Sequence, residues 1–177
     1  CTCTMQFVLR ARRLHMLTFM RSNDAWLGLP HDIFAFTMIQ ELVARSLGVE
    51  LGEYRHSVGS LHLYDRDDKK AIRYLEEGWQ SGRPMPPMPQ GDPWSSVRTI
   101  LAFEETVRNG DASAIDPRDF MDPYWADLAT LLAIHKAGKT TGNQNEIRRL
   151  KRRLSNDVYG MYINKRYGMV PSTNGQL

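Results

Sequence analysis

The order of apolar and polar positions divides the first half of the chain into strand-like and helix-like segments. Residues 5–20 are rich in strand-forming residues and are interrupted by the basic stretch 10–13, which predicts two strands joined by a short polar turn. From about Pro30 to Leu47, apolar residues recur on nearly every side of a helical projection, which predicts a buried helix. Residues 48–54 predict a turn leading to a strand, and the alternation in 60–64 predicts another strand.

The second half of the chain is dominated by helical signals. Residues 65–82 begin with acids, continue with basic residues and end in glycine, which predicts a helix. Residues 83–93 are rich in proline, which restricts φ and removes backbone donors, so we expect irregular structure. Three further helices are predicted within 94–110, 122–139 and 143–168. The whole pattern predicts an α/β fold with a helical C-terminal portion.

The composition predicts one domain, 1–177, because a chain of 177 residues with 42% hydrophobic content can bury one sizeable core. No run of eighteen apolar residues occurs, so we expect no membrane span. The start at Cys1 shows no secretory leader and suggests a processed piece or the C-terminal part of a longer protein. Cys1 and Cys3 are too close for an ordinary structural disulfide, which fits a cytoplasmic protein.

The formal charge of +3 favours anionic partners such as phosphates, although a solvated basic surface explains it equally well. In the block 146–154, the apolar residues share one helical face and basic residues cover most of the rest. We interpret this block as a helix packed on one side and solvated on the other, with nucleic-acid contact as the less favoured alternative. Scattered histidines and the absence of a second cysteine pair predict no metal site.

Four short motifs stand in order within the first 64 residues. Cys1 is followed five positions later by Gln-Phe, a spacing that Cys3 does not give. Arg-Ser-Asn-Asp occupies 21–24, Leu-Gly-Leu-Pro occupies 27–30 and His-Leu-Tyr occupies 62–64. In order and spacing these motifs resemble the thymidylate synthase family, and the resemblance weakens beyond residue 64. It implies a mixed sheet flanked by helices, a homodimer, and methylenetetrahydrofolate as a one-carbon donor for a pyrimidine nucleotide.

The resemblance assigns the covalent chemistry and the phosphate contacts to three residues. Cys1 matches the family's nucleophile, whose thiolate adds to carbon 6 of the pyrimidine and makes carbon 5 nucleophilic. Arg21 matches the arginine that binds the nucleotide phosphate and whose charge favours the thiolate. Ser22 is similar to the serine that also binds the phosphate. Taken singly, Arg21 would be a surface arginine and Ser22 a loop cap.

The resemblance also assigns the folate and sugar contacts. Asp24 corresponds to the carboxylate near the folate pterin, and Gly28 to a glycine beside the same cofactor. His62 and Tyr64 correspond to the pair that binds a sugar hydroxyl, and their alternate positions on a predicted strand put them on one face. Without the resemblance, Asp24 would be a loop cap, Gly28 a turn residue, and His62 and Tyr64 core residues.

The resemblance implies that Asp32 stands at the position that distinguishes the pyrimidine substrates. Thymidylate synthases have asparagine there, whose amide both donates to and accepts from uracil, whereas an ionised carboxylate only accepts and so suits the exocyclic amine of cytosine. A mismatch costs a few kcal/mol, or roughly ten- to a hundredfold in selectivity. Aspartate at this position resembles the deoxycytidylate and cytidylate hydroxymethylase branch. The structural alternative is a helix N-cap, a position where aspartate is also favoured.

The favoured interpretation is therefore a hydroxymethyltransferase acting on a cytosine nucleotide. The family has a substantial portion before its catalytic cysteine, so we expect an additional N-terminal segment or chain. The basic helical C-terminal portion departs from the strand-rich ending of the family. The alternatives are a thymidylate synthase acting on deoxyuridylate, an N-terminal nucleophile hydrolase using Cys1, and a non-catalytic nucleotide- or RNA-binding module.

Overall fold

The computed structural model describes residues 2–76, 78, 82–110, 115–140, 144–160 and 163. The chain divides into two compact units. The first unit contains residues 1–82 and 88–93, and the second contains 83–87 and 94–177. The single domain 1–177 stays a prediction. Within the described residues, no helix combines the length and apolar character needed to cross a membrane.

The described part of the first unit contains five strands, in the order β1 (Thr2–Arg10), β2 (Arg13–Met20), β3 (Asn23–Asp24), β4 (Glu50–Val58) and β5 (Leu61–His62). β2 is central in a three-stranded mixed sheet: it pairs antiparallel with β1 and parallel with β4. Ala11 and Arg12 join β1 to β2 with φ angles of 47° and 60°, the backbone of a tight two-residue turn. The predicted pair of strands with a short polar turn is confirmed, as is the α/β class.

The helix α1 (Gly28–Ser46) packs on one face of this sheet. Phe36 of α1 joins Met16 and Met20 of β2 in a buried cluster. Farther along the helix, Nε2 of the buried Gln40 donates to the carbonyl of Leu14 at 2.8 Å, which attaches α1 to the sheet backbone. The prediction of a helix buried on every side is wrong, because Ile33 and Phe34 are 38% and 54% exposed. The sheet covers only one side of α1 among the described residues.

The prediction of irregular structure for the proline-rich residues 83–93 is confirmed, because these residues form no helix or strand. Met88 is held against α1 at both backbone groups: its N–H donates to Glu41 at 2.8 Å and its carbonyl accepts from Nε of Arg45 at 3.0 Å. Arg45 and Glu41 are themselves paired at 3.2 Å. The predicted helix before this segment is α2 (Asp68–Glu76), which follows a 3-10 turn at 65–67.

The second unit is helical, as predicted. Its longer helices among the described residues are α3 (Trp94–Asn109), α4 (Pro123–Thr140) and α5 (Gln144–Lys151). Gly110 follows α3 with φ of 97°, the left-handed conformation that ends many helices, so the predicted Asn-Gly stop is confirmed.

The basic block in the second unit packs as a one-sided helix. Ile147 and Leu150 are buried against Ala137 of α4, whereas Arg148 and Arg152 are exposed. α5 ends at Lys151, earlier than the predicted helix, and part of that predicted helix lies outside the described residues. The preferred interpretation of the block, a packed and solvated helix, agrees with this arrangement.

Candidate active site

The candidate site is built where β3 pairs with β5. The two short strands are parallel, with Asn23 opposite Leu61 and Asp24 opposite His62. The N–H of Asn23 donates to the carbonyl of Ser60 at 3.0 Å, and that of Ala25 donates to the carbonyl of His62 at 2.8 Å. This pairing brings the Arg-Ser-Asn-Asp segment beside the His-Leu-Tyr segment, although about forty residues separate them in sequence.

Asp24 is held by the backbone of the turn that follows it. Its two carboxylate oxygens accept from the N–H groups of Trp26 and Leu27 at 3.0 and 3.1 Å. The Trp26 N–H is the largest cause of the lowered pKa of Asp24, and the charge of His62 acts in the same direction. The carboxylate is therefore anionic at neutral pH, half-buried, and still has lone pairs with which to accept from a ligand.

Gly28 is required by the packing of the first turn of α1. A Cβ added at Gly28 would collide with Oδ1 of Asn23 and would lie 3.3 Å from Cβ of Asp24. Asn23 is only 3% exposed, so its side chain has little room to move aside. Gly28 thus lies beside Asp24, and the contact with Asn23 explains the glycine without reference to a cofactor.

Asp32 is not a helix cap. α1 begins at Gly28 with Leu27 as its N-cap residue, and Asp32 lies more than one turn inside the helix. It precedes Phe36 by four residues, so it shares the helix face that packs on the sheet. Burial is the main cause of the raised pKa of Tyr54 in β4; a side-chain hydrogen bond with Thr18 lowers this pKa, and the negative charge of Asp32 raises it. The half-buried carboxylate therefore lies within electrostatic range of the sheet.

His62 and Tyr64 lie together. Their ring centroids are 5.0 Å apart with the rings nearly perpendicular, and the guanidinium of Arg66 lies 4.8 Å from the centroid of the Tyr64 ring. The predicted strand is shorter than expected, because β5 ends at His62 and Tyr64 continues in extended conformation. Their shared location agrees with a common binding role.

Asp67, which the sequence analysis missed, holds the turn after Tyr64. Its side chain is 2% exposed and pairs with Lys70 at 2.6 Å and Arg66 at 3.4 Å. The hydrogen bond from Lys70 is the largest cause of the lowered pKa of Asp67. The backbone N–H of Asp67 also donates to the carbonyl of Tyr64 at 2.8 Å. The acidic run around Asp67 indicated a helix start but not a buried carboxylate paired with exposed cations.

Tyr54 and His56, also missed, lie side by side on the inner face of β4. The Tyr54 hydroxyl is 2.7 Å from Nδ1 of His56, and Nε2 of His56 is 3.2 Å from Nδ2 of Asn23. The alternation in residues 53–57 could have placed both side chains on one face. The link to Asn23 could not be read from a local pattern.

Cys1 lies outside the described residues. Its sequence neighbour Thr2 pairs with Met20 in the β1–β2 register, so the start of β1 lies beside the end of β2. Arg21 follows directly and is exposed, and Ser22 is half-buried. In the part of the chain that the structure describes, no group of three histidine, cysteine or acidic residues is arranged to hold a metal ion.

Comparison with known proteins identifies relatives of the first unit. Residues 1–90 match the family model described as Thymidylate synthase. Thymidylate synthase 1 of Bacillus spizizenii and the thymidylate synthases of Bacillus phage phi3T and Bacillus mojavensis are each 36% identical over 66 residues, which cover 37% of this chain and 24% of each relative. The structure of thermostable thymidylate synthase A from Bacillus subtilis is 32% identical, with a TM-score of 0.42, and the match covers 46% of this chain and 29% of that chain.

The extent of these matches identifies the family. The chain spans about a quarter of the length of the curated relatives that it matches. The family model nevertheless matches half of the 177 residues and includes each of the four motifs. The chain therefore belongs to the thymidylate synthase family.

Proposed function

We propose that the protein is a hydroxymethyltransferase that modifies carbon 5 of a cytosine nucleotide, CMP or dCMP. The observation that carries the proposal is Asp32, a half-buried carboxylate inside α1 on the face that packs on the sheet. Since Leu27 is the N-cap residue, Asp32 has no capping role. A half-buried carboxylate loses hydration, and an exocyclic amine of cytosine would restore a hydrogen bond to it.

The selectivity follows from donors and acceptors. Cytosine presents an amine to the carboxylate of Asp32, whereas uracil presents a carbonyl oxygen whose lone pairs would face those of the carboxylate. Leaving such groups unpaired costs about 1–3 kcal/mol, which is roughly ten- to a hundredfold in relative kcat/KM. An asparagine, which offers both a donor and an acceptor, would remove most of that preference.

The covalent step is assigned to Cys1 and its support to Arg21. The thiolate of Cys1 adds to carbon 6 of the base, and the electron pair of the ring double bond moves to carbon 5, which then attacks the one-carbon unit. Methylenetetrahydrofolate would supply that unit. After carbon 5 loses its proton and tetrahydrofolate leaves, water would add to the exocyclic methylene, and departure of the Cys1 thiolate from carbon 6 would restore the ring double bond. The start of β1 lies beside the end of β2, where Arg21 follows, so a guanidinium near Cys1 is compatible with the register. A nearby cation favours the thiolate over the thiol.

The remaining contacts complete the proposed site. Arg21 and Ser22 bind the phosphate, and His62 and Tyr64 bind the sugar. Asp24, anionic and still able to accept hydrogen bonds, suits the N–H donors of a folate pterin, and Gly28 keeps the first turn of α1 close to it.

We also propose that the protein is a cytoplasmic homodimer, completed by an N-terminal segment or another chain. Leu17 and Phe19 of β2 are 36% and 47% exposed on the sheet face opposite α1, which supports a partner there.

Product analysis tests the proposal. The purified protein would be incubated with methylenetetrahydrofolate and, separately, with CMP, dCMP and dUMP, and the products would be identified by mass. We expect a hydroxymethyl product from a cytosine nucleotide, abolished by Cys1→Ala and shifted toward uracil by Asp32→Asn. Methylation of dUMP with release of dihydrofolate, and no reaction of either cytosine nucleotide, would overturn the proposal.

Methylation of dUMP is the second candidate. It is favoured by the relatives, each of which is named thymidylate synthase. In that case Asp32 would be accommodated in its protonated form, which can donate to a uracil carbonyl. Release of dihydrofolate with dUMP, and no hydroxymethyl product from CMP or dCMP, would identify this case.

A further inference from the structure

The side chain of Asn23 links β4 to the start of α1. On one side, Nδ2 of Asn23 lies 3.2 Å from Nε2 of His56 in β4. On the other side, Oδ1 of Asn23 packs so closely against Gly28 that a Cβ there would collide with it. Asn23 is 3% exposed, so these contacts are shielded from water. The amide is therefore held from two directions.

His56 is itself fixed to the sheet. Its Nδ1 lies 2.7 Å from the Tyr54 hydroxyl, and its ring centroid lies 6.2 Å from that of Phe36. Because the amide nitrogen of Asn23 can only donate, Nε2 of His56 accepts from it. The hydrogen of the neutral ring then lies on Nδ1 and is donated to the Tyr54 oxygen. Both ring nitrogens have partners, which fixes how His56 faces Asn23.

The turn that holds the Asp24 carboxylate lies between the two ends of this link. Asp24 follows Asn23 directly, and its carboxylate accepts from the N–H groups of Trp26 and Leu27 at 3.0 and 3.1 Å. Gly28, which contacts the Asn23 side chain, comes directly after these donors. One amide thus joins the residues on either side of the turn. A displaced Asn23 would change the distance between the carboxylate and its donors.

Building on the proposed function, we propose that His56 is a positioning residue for the folate contact. Through Asn23, it sets the place from which the Asp24 carboxylate accepts from the N–H donors of the pterin. A carboxylate that is already aimed by fixed partners binds a donor without first losing the freedom of a mobile side chain. His56 acts through Asn23 and takes no part in the covalent step.

A carboxylate titration tests the link without any ligand. The hydrogen bond from the N–H of Trp26 is the largest cause of the lowered pKa of Asp24. In His56→Ala, a loosened turn should weaken this bond. The pKa of Asp24, measured by NMR of its carboxyl carbon, should then rise toward its ordinary value of 3.8. Asn23→Ala should raise it in the same way, and this variant tests the link if His56→Ala does not fold.

Folate binding provides the second test. His56→Ala should raise KM for methylenetetrahydrofolate, and the dissociation constant of tetrahydrofolate measured by calorimetry, roughly five- to tenfold, as for the loss of one hydrogen bond. The value of kcat should change by less than about twofold, because the link acts on binding. His56→Gln places an amide oxygen near the position of Nε2 and should restore most of the affinity. In the Asn23→Ala background, His56→Ala should have no further effect.

Ile39→Ala is the matched control. Ile39 packs against the core cluster that contains Phe36, but it lies about three turns beyond Gly28 in α1. Its truncation should lower the free energy of unfolding in urea. It should leave the pKa of Asp24 and the KM for the folate at their wild-type values.

The outcomes distinguish the two proposals. A wild-type protein that neither binds the folate nor uses it contradicts the proposed function and removes the folate role of Asp24 with it. If the wild type binds the folate but His56→Ala changes neither the pKa of Asp24 nor the dissociation constant, the positioning role is refuted and the proposed function stands. Additive effects of His56→Ala and Asn23→Ala, no recovery in His56→Gln, or equal changes in Ile39→Ala would also refute the positioning role.

Discussion

Replacing Gly28 with alanine tests how tightly α1 packs on the loop that carries Asp24. A Cβ at Gly28 would collide with Oδ1 of Asn23. Asn23 is 3% exposed and its amide donates to His56, so it cannot move aside without losing that contact.

The expected cost of Gly28→Ala combines three contributions. Losing the hydrogen bond of Asn23 costs about 1 kcal/mol. Forcing an additional methyl into a close-packed contact costs about 1–3 kcal/mol. Alanine recovers up to about 1 kcal/mol over glycine through its helix propensity. We therefore expect the free energy of unfolding, measured by urea denaturation, to fall by about 1–3 kcal/mol.

Gly138→Ala is the matched control. Gly138 lies in α4, and no described heavy atom lies within 4 Å of a Cβ built there. This substitution should raise the free energy of unfolding by up to about 1 kcal/mol. If Gly28→Ala stabilised the protein as Gly138→Ala does, the packing argument would be refuted. Combining Gly28→Ala with Asn23→Ala should cost less than the sum of the single variants, because the second removes the obstructing atom.

Three further predictions concern buried charges and hydroxyls. Asp67→Asn should weaken the ion pair with Lys70, loosen the turn after Tyr64 and raise KM for the nucleotide more than it lowers kcat. The pKa of Asp116 is lowered from 3.8 to about 2, chiefly by its hydrogen bond with Arg118, so its stabilisation is complete above pH 3.8 and is lost as the pH falls toward 2. Urea unfolding at several pH values would measure this effect in wild type and in Asp116→Asn. The variant should lack the loss of unfolding free energy below pH 3.8 that Asp116 causes, about 1–2 kcal/mol, a reduced value because the half-exposed Arg118 is screened by solvent. Burial raises the pKa of Tyr159 to about 12, and its hydroxyl has no hydrogen-bond partner among the described residues. Tyr159→Phe should therefore leave the free energy of unfolding unchanged or raise it by up to about 1 kcal/mol. In an absorbance titration at 295 nm, the variant should lack the phenol that ionises near pH 12.

Local patterns predicted elements well and packing less well. The two strands in residues 5–20 and the Asn-Gly end of α3 follow from short-range preferences that the sequence states directly. The burial of α1 was overestimated because an apolar pattern shows which residues can be buried, not which surfaces are available to cover them. The parallel pairing of β2 with β4 joins segments about thirty-seven residues apart and has no local signature.

In the candidate site, too, the sequence predicted more than the long-range packing that places the residues. The resemblance assigned Asp24 to the folate and His62 to the sugar, and the β3–β5 pairing brings the two residues side by side. The capping interpretation of Asp32 failed because it depended on where α1 starts. A start near Pro30 would have left Asp32 in the first turn, whereas the start at Gly28 moves it inside the helix. Helix boundaries are the least certain part of any pattern-based prediction.

The location of Asp32 depends on contacts on both sides of it along one face of α1. Before it, Gly28 packs directly on Asn23, and after it, Phe36 enters the core and Gln40 donates to the backbone of the sheet. A carboxylate on a helix attached at both ends cannot shift toward an ill-matched base without disturbing these contacts. Such rigidity is what selectivity requires, because a side chain free to turn away would leave uracil unpenalised. The helix that supplies much of the core of the first unit would then also set which pyrimidine the protein accepts.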